Sequence, residues 1–563
     1  MLRNLIEFTR GVNPFSAKQA DSGSRVWNLL TLFVALLVSI PVLTILINVF
    51  VPAGEVWSHL ASTVLPDYVR NSIWLMIGVG TGVFLIGVGT AWLVTMCEFP
   101  GRRMFDWALI LPMAVPAYLM AYTYTEFLAF TGPVQNLIRD LTGWGGGDYW
   151  FPDIRSVQGA IFVMSFVFYP YVYLLARSAF LEQSVSLLEA SRSLGASPLE
   201  SFYKIALPLA RPSIAAGMAL ALMETLNDFG TVDYFGVHTF TTGIYRTWFG
   251  LGEPVAAAQL SAFLLLFILI LILMERWSRS RINFGQSGTS RFKYISTWKL
   301  NGWKKWGSFA ACMLPLTIGF LIPVGILIEM MITHFDSAVD RRFLQYGLNT
   351  LLVGAIAGLL ALLIALVMAY GVRLNPNLVT RAATRIGSMG YAIPGSVIAV
   401  GVMIPFGWFD NTLDSWMRST FGISTGLILS GTIIALIFAY IVRFLAVSFT
   451  TVEASLAKIT PNMDEAAEGL GYRFGKILTR VHIPMMRSSL FAAVLLVFVD
   501  VIKELPATLI VRPFNFDTLA VQVYRLASDE RLAESSGAAL AIVLVGIIPV
   551  IILSRAMSRS REE

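Results

Sequence analysis

Two acidic clusters interrupt stretches that are otherwise apolar. In "ALALMETLNDFGTVDYFG", Glu224 and Asp228 stand four apart, with Asp233 and Tyr234 just beyond. That spacing puts two side chains on one face of a helix. In "LLVFVDVIKELPATLIV", Asp500, Lys503 and Glu504 crowd a second apolar stretch. A charge near the centre of a bilayer costs at least about 2.5–3.5 kcal/mol, so such residues face a cavity or a partner. Glu224, Asp228, Asp500 and Glu504 are therefore candidates for lining an acidic translocation path. Lys503 offers a competing arrangement, in which it neutralises Asp500 or Glu504 as a structural pair. Carboxylates near helix ends can also simply reach water. Arg443, inside another apolar run, calls for a carboxylate or carbonyl partner.

No catalytic spacing accompanies these residues. His59, His238, His334 and His482 are scattered, without the close pairing a metal site uses, and no H-E-x-x-H or G-x-S-x-G occurs in a fitting context. Cys97 and Cys312 are too few for a disulfide framework or a cysteine metal site. A phosphate-binding loop needs G-x-x-x-x-G-K-[ST] after a strand. "GYRFGKI" from Gly471 has three intervening residues and no Ser or Thr, and "GWGGGD" from Gly143 has no lysine. The expectation is a protein that is not an enzyme, with no cofactor and no firmly assigned metal site, whose energy comes from a partner.

Charged residues make up 13% of the 563-residue chain and hydrophobic residues 56%. A soluble domain carries about 25% charged residues, so this chain has too little polar surface to face water. Roughly 20 apolar residues cross a bilayer as a helix. Twelve such runs fall near 26–50, 71–96, 105–127, 158–178, 213–231 and 255–274, then 309–333, 347–372, 386–408, 425–448, 488–511 and 536–554. The fold class read from this is an all-α polytopic membrane protein of about twelve transmembrane helices. Lysines and arginines cluster in alternate loops and in a middle segment holding Arg276, Arg279, Arg281, Arg291, Lys293, Lys299, Lys304 and Lys305. The positive-inside rule places that segment and both termini in the cytoplasm. The +6 formal charge is thus a topology signal rather than a nucleic-acid footprint. The organisation expected is a cytoplasmic tail (1–25, with no apolar signal-peptide core), a first transmembrane half (26–274), a basic cytoplasmic linker (275–308), a second half (309–554) and a short cytoplasmic tail (555–563).

The halves repeat. "EASRSLGASPLESFYKIALP" from Glu189 returns 276 positions later as "EAAEGLGYRFGKILTRVHIP" from Glu465, and the same offset maps Asp228 on Glu504. At nearby offsets, "VPAYLMAY" from Val115 resembles "IPGSVIAV" from Ile393. With six spans between them the repeats are parallel, an arrangement that places a transport path at their interface. Each twenty-residue stretch reads as helix, glycine, helix. Gly195 and Gly471 suit a left-handed break. Ser197 with Glu200 fits a capping box and Asp464 is a cap candidate. Pro208 and Pro212 mark the approach to the next span, and Pro484 marks a stop.

These stretches resemble the EAA loop of ABC-importer permeases, E-A-A, three residues, G, nine residues, I, one residue, L-P. Glu189, Ala190, Gly195, Leu207 and Pro208 match in the first copy (189–208), and Glu465, Ala466, Gly471 and Pro484 in the second (465–484), where Ile483 is a conservative departure. Ser191 and Val481 also depart conservatively. The resemblance implies a type I ABC-importer transmembrane domain whose hairpins dock a separate cytoplasmic ATPase, present in two copies, and carry its closure to the membrane helices. Together, "ETLNDFGTVDYFGVHTFTTGIYRTWFG" and "DVIKELPATLIVRPFNFDTLAVQVYRLASDERLAE" resemble the fused ferric-iron permeases, over roughly 70–274 and 345–553. That likeness implies ferric-iron uptake across a bacterial inner membrane, with a periplasmic iron-binding protein as partner and no nucleic acid. Segments around 233–253 and 512–534 are candidate docking surfaces for that protein. Thiamine, phosphonate or another small anion is the rival cargo within the class. A twelve-span ion-coupled carrier is the rival class, but it gives no reason for paired Glu–Gly–Pro hairpins.

Overall fold

The computed structural model describes residues 22–182, 193, 195, 197–280, 297–472 and 474–562. The chain runs through α1 (Ser22–Asn48), α2 (Leu65–Met96), α3 (Ala117–Leu128), α4 (Val157–Glu182), α5 (Leu207–Asn227) and the short α6 (Gly230–Tyr234). It continues through α7 (Arg341–Leu374), α8 (Gly395–Phe421), α9 (Ile433–Leu456), α10 (Pro461–Gly469), α11 (Ile483–Lys503) and the short α12 (Pro506–Val511). Further long helices cover Pro254–Ser280 and Leu532–Glu562. Among the described residues, eleven helices are long and apolar enough to cross a membrane, and a bent pair makes up to twelve. The one strand pairing among them joins Cys97–Glu98 to Trp298–Lys299 in parallel. Lipid offers no hydrogen bonds to the backbone, so helices satisfy it internally. The chain is an all-α multi-pass membrane protein.

Three expectations about the spans are corrected. The run at 105–127 is not straight: Arg102–Ala114 and Ala117–Thr142 meet at 90°. Proline disfavours helix at the residue before it, and Val115, before Pro116, is extended with ψ 113°. Pro394 opens α8 with nearly the same geometry as Pro116 opens α3, φ −58°, ψ 144° against φ −57°, ψ 145°. The run at 386–408 therefore begins as a long helix only at Gly395 and continues to Phe421.

Second, the prolines after the hairpins neither end nor delay a helix. Helical spans run unbroken over Leu199–Asn227 and Gly475–Lys503. A π-turn over Phe202–Ala206 ends two residues before Pro208, and another over Leu478–His482 ends two residues before Pro484. Proline lacks an N–H and collides with the carbonyl four residues back. The wider turn moves that carbonyl aside and hands its neighbours i to i+5 bonds, Leu207 N–H to Phe202 O and Ile483 N–H to Leu478 O. The same solution recurs at Thr317–Leu321 before Pro323.

Third, the spans at 213–231 and 488–511 break beside their acidic residues. Helix α5 stops at Asn227 and α6 starts at Gly230; α11 stops at Lys503 and α12 starts at Pro506.

The chain packs as two compact units. The larger draws on Pro41–Gly354, Ala392–Tyr440 and Phe498–Glu563, the smaller on Met1–Ile40, Ala355–Tyr391 and Ile441–Val497, in each case through their described residues. In the larger, α2 and α5 both pack on α4 through glycines. A β-carbon on Gly87 would lie 2.8 Å from Val172 Cβ, and one on Gly217 2.8 Å from Val172 Cα. Bare backbone at these positions lets helices approach closely where lipid supplies no hydrophobic drive. In the smaller, Trp27 of α1 packs on Tyr370 of α7 with ring centroids 5.5 Å apart.

Candidate functional site

In the larger unit the two acidic residues related by the repeat occupy matching positions, one residue past a span and two before the next helix. Asp228 follows α5, and its carboxylate accepts from Thr231 N–H (3.0 Å), Val232 N–H (3.2 Å) and Thr231 Oγ (3.0 Å). Glu504 follows α11, and its carboxylate accepts from Ala507 N–H (3.0 Å), Thr508 N–H (3.0 Å) and Thr508 Oγ (2.8 Å). Each carboxylate takes the N–H groups three and four residues on, the donors that a helix start leaves unpaired. Asp228 and Glu504 thus act as caps that hold a span broken inside the protein. A negative charge there also suits the positive end of the short helix it caps.

The two breaks meet beside one aromatic side chain. A β-carbon on Gly230 would sit 2.6 Å from Tyr118 Cβ and 3.0 Å from Leu505 Cδ2, so Gly230 of the first-half break lies against both Tyr118 of α3 and Leu505 of the second-half break. Thr508 Oγ shares a hydrogen bond of 2.7 Å with the Tyr440 hydroxyl. Lys503, expected as a possible counter-ion, donates to Met113 O at 3.2 Å. Asn227 reaches Glu224 at a long 3.5 Å and accepts from Gly395 N–H at 2.9 Å, at the start of α8. The 276-residue offset relates Glu224 to Asp500 as well as Asp228 to Glu504. Glu224 and Asp500 each stand one turn before a cap and are half-buried.

Outward from Tyr118 the rings continue. Tyr118 and Tyr122 have centroids 5.8 Å apart, and Tyr122 meets Tyr234 edge-on at 4.5 Å. Tyr524 donates to Asp233 at 2.8 Å, bridging the segments 233–253 and 512–534. Arg155 lies over the Tyr234 ring at 4.9 Å and stands 3.6 Å from Glu530.

The second hairpin lies in the smaller unit. Asp464 is not the cap of α10: Thr460 holds that position with Pro461 in the first turn. Asp464 instead accepts from Arg373 of α7 through Nε (3.0 Å) and Nη2 (2.7 Å), and its other oxygen meets His482 Nε2 at 2.7 Å. Arg373 also donates to Leu456 O (2.9 Å) and Ile459 O (3.0 Å). His482, only 1% exposed in its side chain, hydrogen-bonds Tyr370 through Nδ1. One four-residue network therefore ties the hairpin helix to the end of α7 and to the π-turn that opens the next span. Glu465 and Ala466 are exposed, as are Met463 and Leu470, the latter at 78%. Met463 and Leu470 are seven apart on α10 and its cap, so they share a face. Arg443 is buried with its guanidinium over Phe444.

In the first hairpin, Glu189 and Ala190 lie outside the described residues. Ser197 and Glu200 form the capping box, Glu200 N–H to Ser197 Oγ at 3.3 Å and Ser197 N–H to Glu200 Oε2 at 3.0 Å. Gly195 and Gly471 have φ +78° and +81°, and Leu207 and Pro208, like Ile483 and Pro484, follow directly on the π-turns. Sequence reasoning overlooked Tyr118, Tyr122 and Arg373, and set His482 aside as one of four scattered histidines. Only the i, i+4 tyrosines in "VPAYLMAY" carried a local signal; the Arg373–Asp464–His482 contacts span 91 and 18 residues.

Residues 84–284 match the model of a family described as binding-protein-dependent transport system inner membrane component. Among curated relatives, the Fe(3+)-transport system permease protein FbpB 2 of Haemophilus influenzae is 27% identical over 497 residues, 87% of this chain and 90% of its own length. The ferric transport system permease protein FbpB of Actinobacillus pleuropneumoniae is 22% identical over 85% of this chain and 70% of its own. The molybdenum transport system permease protein ModB of Escherichia coli is 28% identical over 197 residues, 34% of this chain and 83% of its own.

Proposed function

We propose, from the chain's membership of the binding-protein-dependent transport permeases, that it forms the membrane path of an ABC importer for ferric iron. One observation carries the choice of cargo: a ferric permease aligns across both halves, over 87% of this chain and 90% of its own length. The molybdenum permease covers 34%. An iron-binding protein outside the membrane delivers the cargo, and a separate ATPase supplies the energy. Both termini and the basic linker face the cytoplasm, with first and second permease cores at about 70–274 and 345–553.

The hairpins at 189–208 and 465–484 receive the ATPase. Glu465, Ala466 and Leu470 present an exposed, partly apolar knob of the kind that marks a protein contact. Glu189, Ala190, Gly195, Leu207 and Pro208 serve the first copy, and Gly471, Ile483 and Pro484 complete the second. Displacement of α10 reaches α7 through the Asp464–Arg373 pair and the next span through His482. Glu224, Asp228, Asp500 and Glu504 give the broken spans an acidic lining that favours a trivalent cation, the capped pair held by their short helices and the other two as groups that cargo can meet.

The test is reconstitution of the full chain in proteoliposomes with its ATPase and an iron-loaded binding protein. ATP-dependent radio-iron accumulation supports the reading. Accumulation of molybdate or sulfate in place of iron, or uptake driven by an ion gradient without the ATPase, overturns it.

A further inference from the structure

We propose that Tyr118, Tyr122 and Tyr234, with Tyr524 and Asp233 at their more exposed end, form a phenolate ladder that ligates ferric iron on its way through the protein. This rests on the ferric reading above and names the groups that handle the ion.

Tyr118 and Tyr122 are 5% and 0% exposed, and neither hydroxyl has a hydrogen-bond partner among the described residues. Leaving a buried hydroxyl unsatisfied costs about 1–3 kcal/mol, and here two occur one helical turn apart. Their rings and that of Tyr234 stand in file at 5.8 and 4.5 Å. Tyr118 ends the file at Gly230, which itself lies against Leu505, where the two span breaks meet. At the other end Tyr234 and the Tyr524–Asp233 pair approach the exposed Arg155 and Glu530. The file thus leads from the surface to the breaks.

The oxygens fit the ion. Fe³⁺ is a hard cation that prefers anionic oxygen, and tyrosinate is an established protein ligand of ferric iron. No group of three His, Cys, Asp or Glu among the described residues forms a metal site. Asp228 and Glu504 already accept three hydrogen bonds each from their short helices. They supply field, while the unpartnered Tyr118 and Tyr122 hydroxyls are left to bind the ion. As each Fe–O bond to a phenolate forms, an Fe–OH2 bond and the phenol O–H break, and the released water carries the proton away; iron stays ferric throughout. A row of weak sites lets an ion enter and leave.

The experiment uses the full chain with its ATPase in nanodiscs, titrated with ferric nitrilotriacetate. The expected result is a visible phenolate-to-iron charge-transfer band. Tyr118→Phe and Tyr122→Phe, which keep ring packing, should each weaken the titration about tenfold, equal to about 1.4 kcal/mol. Tyr149→Phe, outside the ladder, should leave it unchanged. No band in the wild type, or an undiminished band in the double Phe variant, overturns the ladder. Parallel uptake assays separate the two ideas. Iron accumulation without a band removes the ladder and leaves the ferric reading, whereas transport of an oxyanion and no iron removes both.

Discussion

Asp228 caps a short helix and, in the proposed path, also supplies charge to the cargo. Its three acceptor contacts hold α6 in place, and its charge faces the break it creates. The Asp228→Asn variant separates these roles, because the amide oxygen can still cap but the charge is gone. We expect iron uptake to fall at least about tenfold, the scale of one lost charge-assisted contact, while thermal stability stays within about 1 kcal/mol, the usual worth of a cap. Glu504→Gln should lower uptake alike but cost more stability, because the Ala507 and Thr508 N–H groups use different oxygens and the amide nitrogen must face one of them. Undiminished uptake by both variants at normal assembly would leave the carboxylates as caps alone. In the smaller unit, Asp464→Ala leaves Arg373 and the 1%-exposed His482 without their shared acceptor. Losing a hydrogen bond between charged groups costs about 1.5–3 kcal/mol. The expected signature is a chain that inserts and binds the ATPase yet shows little cargo-stimulated ATP hydrolysis. Wild-type stimulation would show that the network does not transmit force.

At the scale of elements, the breaks and π-turns matter more than the long spans. Gly230 admits Tyr118 to the junction of the two breaks, so Gly230→Ala must push apart Tyr118 and Leu505, which a β-carbon would meet at 2.6 and 3.0 Å. Overpacking of this kind costs about 1–3 kcal/mol, and we expect loss of uptake with the ATPase still bound. Gly471→Ala contrasts with it. Nothing lies within 4 Å of a β-carbon there, and φ is +81°. Its cost is backbone strain alone, about 1–2 kcal/mol, and should appear as a hairpin that docks its ATPase more weakly in a pull-down. Much of this level was legible in the sequence. Hydrophobic runs marked the spans, and Ser197 with Glu200 announced its capping box. The breaks were harder to see. "NDFGT" and "KELPAT" sit in apolar surroundings, and only the hydrogen bonds of Asp228 and Glu504 to their own next turns tell a cap from a pore charge. The π-turns were hidden because proline reads locally as a stop, although a widened turn accommodates it.

For the whole molecule, duplication gives the broken spans in matching places, while the chemistry around them has diverged. The second hairpin hangs on the Arg373–Asp464–His482 network. In the first half, Trp92 packs on Phe180 and Phe202 at 5.6 and 5.0 Å, an apolar clamp beside the corresponding π-turn. Such asymmetry was beyond sequence reading, since partners distant in the chain decide it. The proposed uptake requires an external motor acting through an exposed knob. Its most direct test places Leu470→Glu, a charge on a 78%-exposed residue of the proposed docking knob, into the full chain and measures ATP-dependent radio-iron uptake in proteoliposomes holding the ATPase and the iron-loaded binding protein. The account predicts robust uptake by the wild type, none without the ATPase, and a loss of about tenfold or more in the variant, as for a docking contact worth 1.4 kcal/mol. Uptake that persists without the ATPase, or that ignores the variant, would contradict it.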